Sequence, residues 1–147
     1  MHFDLVDRVV EASAEGAVTL KAVSLAEEYL QDHFPSYPVL PGVLMLEAMV
    51  QAGRVVGKQR GVREPLVLGE VRALKYNRFV PPGSVIRAVV TLGKTGEEGM
   101  LDFRGRVELV DPLQPDMVET AASGRFTLRP IRLGSCSAEV GTAGPMA

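Results

Sequence analysis

The chain has 147 residues, 46% of them hydrophobic and 23% charged, which suits a single soluble domain large enough to bury a core. Its net charge of −2 gives no basis for a nucleic-acid partner or an anionic membrane surface. The one cysteine, Cys136, cannot close an internal disulfide, and the first residues lack the basic-then-apolar pattern of a signal peptide, so a reducing cytoplasmic setting is expected.

Residues 3–10 carry Phe3, Leu5, Val6, Val9 and Val10, a pattern that fits a short helix or a strand equally. Glu15-Gly16 reads as a turn and 17–23 as a strand, and 24–32 read as a polar loop. Pro35, Pro38 and Pro41 then fall within seven residues. They remove backbone donors and push Phe34, Tyr37 and Leu40 toward extended conformations, so a rigid arm bearing His33 is predicted. From Pro41 or Gly42 onward helix formers dominate, with no breaker before Gly53, and proline just inside a helix start is a common signal. Apolar residues cover nearly the whole circumference of this helix, from Val43 to Val56. Glu47, Gln51, Arg54 and Lys58 form its one narrow polar stripe. The helix carries too many polar groups and is too short to span a membrane.

After a charged connection at 57–65, the second half reads as sheet. Residues 66–74 and 75–80 are strand-like runs closed by Pro81-Pro82-Gly83, and 84–92 are a strand with Ile86, Ala88, Val90 and Leu92 on one face. A glycine-rich turn is expected at 93–99. Leu101, Phe103, Gly105, Val107 and Leu109 then alternate with Asp102, Arg104, Arg106 and Glu108, as in a half-buried strand. A loop at 111–116 leads to a last strand around Phe126 and Leu128. Short loops imply an antiparallel meander. The tail at 133–147 is rich in Gly, Ser and Ala without period and reads as mobile, leaving one domain over 1–132.

The segment HFP-x-x-P-x-x-PGVL-x-x-EA-x-x-Q, from His33 to Gln51, resembles the active-site segment of the 3-hydroxyacyl-(acyl-carrier-protein) dehydratases of type II fatty-acid synthesis. A glutamate rather than an aspartate at position 47 is closer to the FabZ type than to the FabA type. FDLVDRVVE at 3–11 and KYNRFVPPGSVIRA at 75–88 extend the likeness, which covers roughly 3 to 130. The resemblance implies the hotdog fold, an α+β architecture in which an antiparallel sheet wraps around one long central helix. It implies no metal and no cofactor, a homodimer or a trimer of dimers, and acyl carrier protein as the partner that brings the substrate.

Such a dehydration needs a base beside the thioester carbonyl, donors for the enolate-like oxygen and an acid for the departing hydroxyl. His33 is the candidate base, since an ordinary imidazole is largely neutral at pH 7; His2, the only other histidine, reads as surface. Backbone N–H groups of Gly42 and Val43 at the helix start suit an oxyanion. Glu47 is the candidate acid, a role that calls for an apolar surround favouring the neutral carboxyl. The resemblance also implies that His33 of one chain faces Glu47 of the other. Phe34, Pro35, Tyr76 and Phe79 are candidate substrate contacts; Phe34, Tyr76, Phe79 and Phe103 read first as core aromatics and, alternatively, as the lining of an acyl tunnel. Arg72, Lys75 and Arg78 form either a solvated basic face or a docking patch for an acidic carrier.

The chain departs from the family pattern at Asp32 and Ser36, where glycine is usual, at Leu40, where methionine is common, and at Glu28-Tyr29-Leu30. Asp32 within reach of His33 would favour the imidazolium, although neighbours on an extended arm point to opposite faces. Two other readings stay open: a hotdog thioesterase, and an acyl-binding protein without catalysis.

Overall fold

The computed structural model describes residues 3–132. The expectations for His2, Cys136 and a mobile tail at 133–147 lie outside the described residues. Six strands form one antiparallel sheet: β1 (Arg8–Ala12), β2 (Gly16–Ala22), β3 (Leu66–Tyr76), β4 (Val85–Thr95), β5 (Leu101–Asp111) and β6 (Gln114–Pro130). Their order across the sheet is β1-β2-β4-β5-β6-β3. A short helix, α1 (Glu28–Asp32), precedes a long one, α2 (Gly42–Gln59), and α2 packs against all six strands. A sheet curled around one central helix is the expected α+β hotdog arrangement. Among the described residues no helix is long and apolar enough to cross a membrane.

The core follows from two periodicities meeting. Along β5, Leu101, Phe103, Gly105 and Val107 point inward and are buried, while Arg104 and Arg106 point out. Along α2, Met45, Ala48, Met49, Ala52, Gly53 and Val56 form the buried face. Phe103 and Phe126 stack at 5.3 Å between these two layers. Gly53 sits directly over them: a Cβ there would come within 2.9 Å of Leu128 Cδ1 and 3.3 Å of the Phe126 ring. Glycine inside a helix costs about 1 kcal/mol in propensity. Here that cost is outweighed by the close seating of the helix on the aromatic pair, so α2 runs through Gly53 instead of ending there.

Several expectations need correction. The stretch 24–32 is not all loop, because α1 forms around Leu30, which is fully buried. The residues 66–80 are not two strands. A single strand β3 carries bulges between Leu68 and Glu70 and between Arg72 and Lys75, with Ala73 at a φ of 52°, and these breaks of period imitate a boundary. It stops at Tyr76, after which the Asn77 and Arg78 N–H groups turn together onto the Ala121 carbonyl. The turn expected at 93–99 is shorter, since β4 continues to Thr95. The strand following the loop at 111–116 begins inside it, at Gln114. The undecided start of the chain contains β1. Finally, only β4-β5-β6 is a meander. The chain leaves β2, crosses along α2 and returns at the far edge, so β3 pairs with β6 and β4 takes the place beside β2.

One buried charge holds the outer face of the sheet. Glu108 is 6% exposed and accepts hydrogen bonds from Arg87 Nε at 2.6 Å and Arg106 Nε at 2.7 Å. Burial alone pushes its carboxyl up, but the bonds and charges of Arg106 and Arg87 outweigh this and hold it below the usual range. A carboxylate depressed in the folded state contributes stability above its unfolded value and loses it as pH falls through the folded one. Glu108→Gln should therefore lower the unfolding free energy at pH 7 by about 1–2 kcal/mol, the two arginines being partly solvated. In urea titrations the gap between wild type and variant should close as the pH drops below the ordinary glutamate value of 4.5.

Candidate active site

The arm that carries His33 is more compact than three prolines predicted. Phe34 N–H donates to Tyr37 O and Tyr37 N–H to Phe34 O, both at 3.1 Å, which folds 34–37 into a tight turn in place of an extended run. The His33–Phe34 peptide bond is cis. His33 is braced twice by one residue: its carbonyl accepts the Val39 N–H at 2.9 Å, and its ring Nδ1 lies 2.9 Å from the Val39 carbonyl. A carbonyl can only accept, so Nδ1 carries the hydrogen and a neutral His33 presents Nε2 as a bare acceptor. Leu40 N–H donates to Val80 O at 2.8 Å and ties the end of the arm to the segment after β3. Asp32 closes α1 and is exposed.

The arm runs straight into α2. Pro41 is the N-cap, and no side chain caps the helix. The Gly42 and Val43 N–H groups enter none of the turn or cap bonds, while Leu44 N–H already closes onto Pro41 O. Two donors at the positive end of an 18-residue helix are therefore available. A cleft of about 370 Å³ opens beside them, lined among others by His33, Gly42, Val43, Tyr76 and Phe79. Its walls are mostly apolar. Gly42 is required there by its neighbour: a Cβ would lie 2.8 Å from the Tyr76 ring. Partial burial pushes the Tyr76 phenol up, so its hydroxyl stays protonated. Val43 and Phe79 are 67% and 70% exposed, and Phe79 meets Tyr37 edge-on at 6.3 Å.

Glu47 is not among the residues lining this cleft. One helical turn beyond its start, its Oε1 accepts from Gln51 Nε2 at 3.1 Å and from Arg54 Nη1 at 3.0 Å. Those two residues are themselves anchored. Gln51 holds the Leu5 N–H and the Phe3 carbonyl, each at 2.9 Å, and Arg54 Nε donates to Leu66 O at 2.9 Å. The polar stripe is thus a bonded seam joining the start of the chain, α2 and β3, and of its four residues only Lys58 is exposed. An arginine in contact is not the apolar surround expected for Glu47; helical spacing of seven residues brought the two together.

Of the other residues singled out, Phe34 is exposed and stacks on the His33 ring at 4.2 Å, and Pro35 is exposed in the turn; neither lines the cleft. Of the two readings of Phe103, the core one holds, since it is 1% exposed in the Phe126 stack. Arg72 pairs with Asp102 at 2.6 Å, and Arg78 makes a two-point pair with Glu119, both contacts at 2.6 Å, so two of the three residues of the expected basic face are ion-paired. Asn77 and Met45, unforeseen from the sequence, also line the cleft; they reach it through the exit from β3 and the first turn of α2. Among the described residues no group of three or more His, Cys, Asp or Glu side chains is placed to hold a metal.

Free donors at a helix start and a histidine thus line one apolar cleft in a hotdog fold. The FabA-like domain model matches residues 1–112, and the chain belongs to that family. Within the family it is similar to 3-hydroxyacyl-(acyl-carrier-protein) dehydratases of the FabZ kind. That of Oenococcus oeni is 41% identical over 93 residues, 61% of this chain and 67% of that protein. That of Streptococcus agalactiae is 32% identical over 125 residues, 84% of each. Among solved structures, the dehydratase heterocomplex ApeI:P from Xenorhabdus doucetiae shares the fold, with a TM-score of 0.68 at 20% identity over 88% of this chain and 84% of that one.

The contact between Gly42 and Tyr76 can be tested directly. Gly42→Ala should cost about 1–2 kcal/mol in urea denaturation through overpacking. In a Tyr76→Leu background at least half of that cost should vanish, because the two sites share one space.

Proposed function

We propose that the protein removes water from a 3-hydroxyacyl thioester carried on acyl carrier protein and releases the trans-2-enoyl thioester. The observation that carries this reading is the bond from His33 Nδ1 to the Val39 carbonyl, which leaves Nε2 as the acceptor in an apolar cleft beside unused helix-start donors. The thioester carbonyl lies against the N–H groups of Gly42 and Val43, which hold the negative charge that builds on its oxygen. His33 Nε2 takes a proton from C2. The electron pair left behind forms the C2–C3 double bond as the C3–O bond breaks, and a carboxyl proton from Glu47 leaves with the hydroxyl as water. The proton on His33 then returns, directly or through solvent, to Glu47, and the pair is reset. Tyr76 and Phe79 flank the acyl chain, while Phe34 and Pro35 shape the turn behind the imidazole.

Glu47 of the same chain points away from the cleft, into the seam with Gln51 and Arg54. This favours a homodimer in which the acid comes from the partner subunit. The exposed Phe34, Tyr37, Val43 and Phe79 supply apolar surface for such an interface. One site then contains His33 of one chain and Glu47 of the other.

With a 3-hydroxyacyl-carrier substrate, enoyl thioester formation is expected for the wild type, with His33→Ala and Glu47→Gln each lowering kcat by about a hundredfold or more. Refolding the two variants together should restore about a quarter of wild-type activity, because half of the dimers are mixed and each mixed dimer holds one intact site. No recovery on mixing would exclude the shared site. Release of free thiol would make the protein a thioesterase, and acyl binding without turnover a carrier-binding protein.

A further inference from the structure

The carboxylate of Glu47 is held asymmetrically. Oε1 accepts two N–H donors, from Gln51 and from Arg54, and among the described residues Oε2 forms no hydrogen bond. The side chain keeps about a third of its surface accessible, 34%, so Oε2 remains open to a reacting group. Arg54 is not free to follow a moving carboxylate, since its Nε is bonded to the Leu66 carbonyl at the start of β3. Gln51 is fixed in the same way by the backbone of Phe3 and Leu5. Two segments outside α2, the start of the chain and β3, therefore set the rotamer of Glu47.

Resting on the dehydratase reading above, we propose that Arg54 is a positioning residue that assigns the two oxygens of Glu47 different duties. An oxygen that already accepts two N–H bonds has no lone pair left for a proton. The transferable proton is thereby confined to Oε2, the oxygen turned away from the seam. The guanidinium also faces the carboxylate that forms when the proton leaves with the hydroxyl, and it needs no reorientation at that moment. The reaction gains a single proton donor in a single direction, in place of a carboxyl that rotates between two equivalent oxygens.

The test combines kinetics with a structure. Arg54→Met and Arg54→Lys are made in the full chain, alone and on a Glu47→Gln background, and assayed with the 3-hydroxyacyl-carrier substrate. Arg54→Met should lower kcat about tenfold or more while KM stays within about twofold. Arg54→Lys should recover most of the loss, and Arg54→Met should add less than about a twofold loss on the Glu47→Gln background. Wild-type kcat in Arg54→Met, or the same tenfold loss with and without Glu47, would overturn the proposal. If the Met variant does not fold, Arg54→Gln, which also removes the charge facing Glu47, is made on both backgrounds and the same losses are expected. A crystal structure of the Arg54 variant should show Glu47 rotated from its wild-type position, and an unmoved Glu47 counts against the proposal. That readout is independent of turnover, whereas failure of the wild type to form enoyl thioester would refute the dehydratase reading itself.

Discussion

The close seating of α2 in the curve of the sheet governs the rest of this protein. With glycine at position 53 the helix backbone rests on the stacked Phe103 and Phe126 rings, with no side chain holding them apart. Interiors are packed as tightly as organic crystals, so an element seated in this way has little freedom to slide or rotate. Fixing α2 fixes two chemical features at once. Its first residues come under the Tyr76 ring, and its polar stripe faces the start of the chain and β3.

Those two features obey opposite electrostatic rules. At the helix start, N–H donors are left without partners, a local cost that makes sense where an anion is to form. Along the stripe, every polar group reached by Glu47 is itself bonded elsewhere, so the carboxylate sits in a network with few loose ends. The histidine follows the second rule. The Val39 carbonyl consumes the hydrogen on Nδ1 and so decides what Nε2 can do. In each case the atom to which the proposed function assigns the chemistry is the one that the scaffold leaves unbonded.

Much of this was legible in the chain. Pro41-Gly42 marks the start of α2, the alternation in 101–109 marks β5 and its inner face, and the spacing of Glu47, Gln51 and Arg54 predicts a single stripe. The motif from His33 to Gln51 pointed to the acyl chemistry. Residues 66–80 looked like two strands because the bulge at Ala73 breaks the period. Phe103 could be read as core or as tunnel lining, because an aromatic side chain in a strand reads the same whether it meets a ligand or a helix, and burial decides for the core. Glu47 was expected among apolar neighbours because those neighbours dominate its helix, yet the contact that matters most to it is Arg54, seven residues along the same stripe.

By itself, the sequence determined what depends on near neighbours: where helix and strands form, which faces are apolar, and which side chains have chemistry to offer. Proline geometry, capping and periodicity act within a few residues, and so they are written locally. Only the tertiary structure decided that β3 crosses to the far edge beside β6, that Val39 sets the tautomer of His33, and that Glu47 is bonded on one oxygen away from the cleft of its own chain. Those outcomes depend on hydrogen-bond directions and on contacts between segments far apart in sequence, which exist only once the chain has closed around α2.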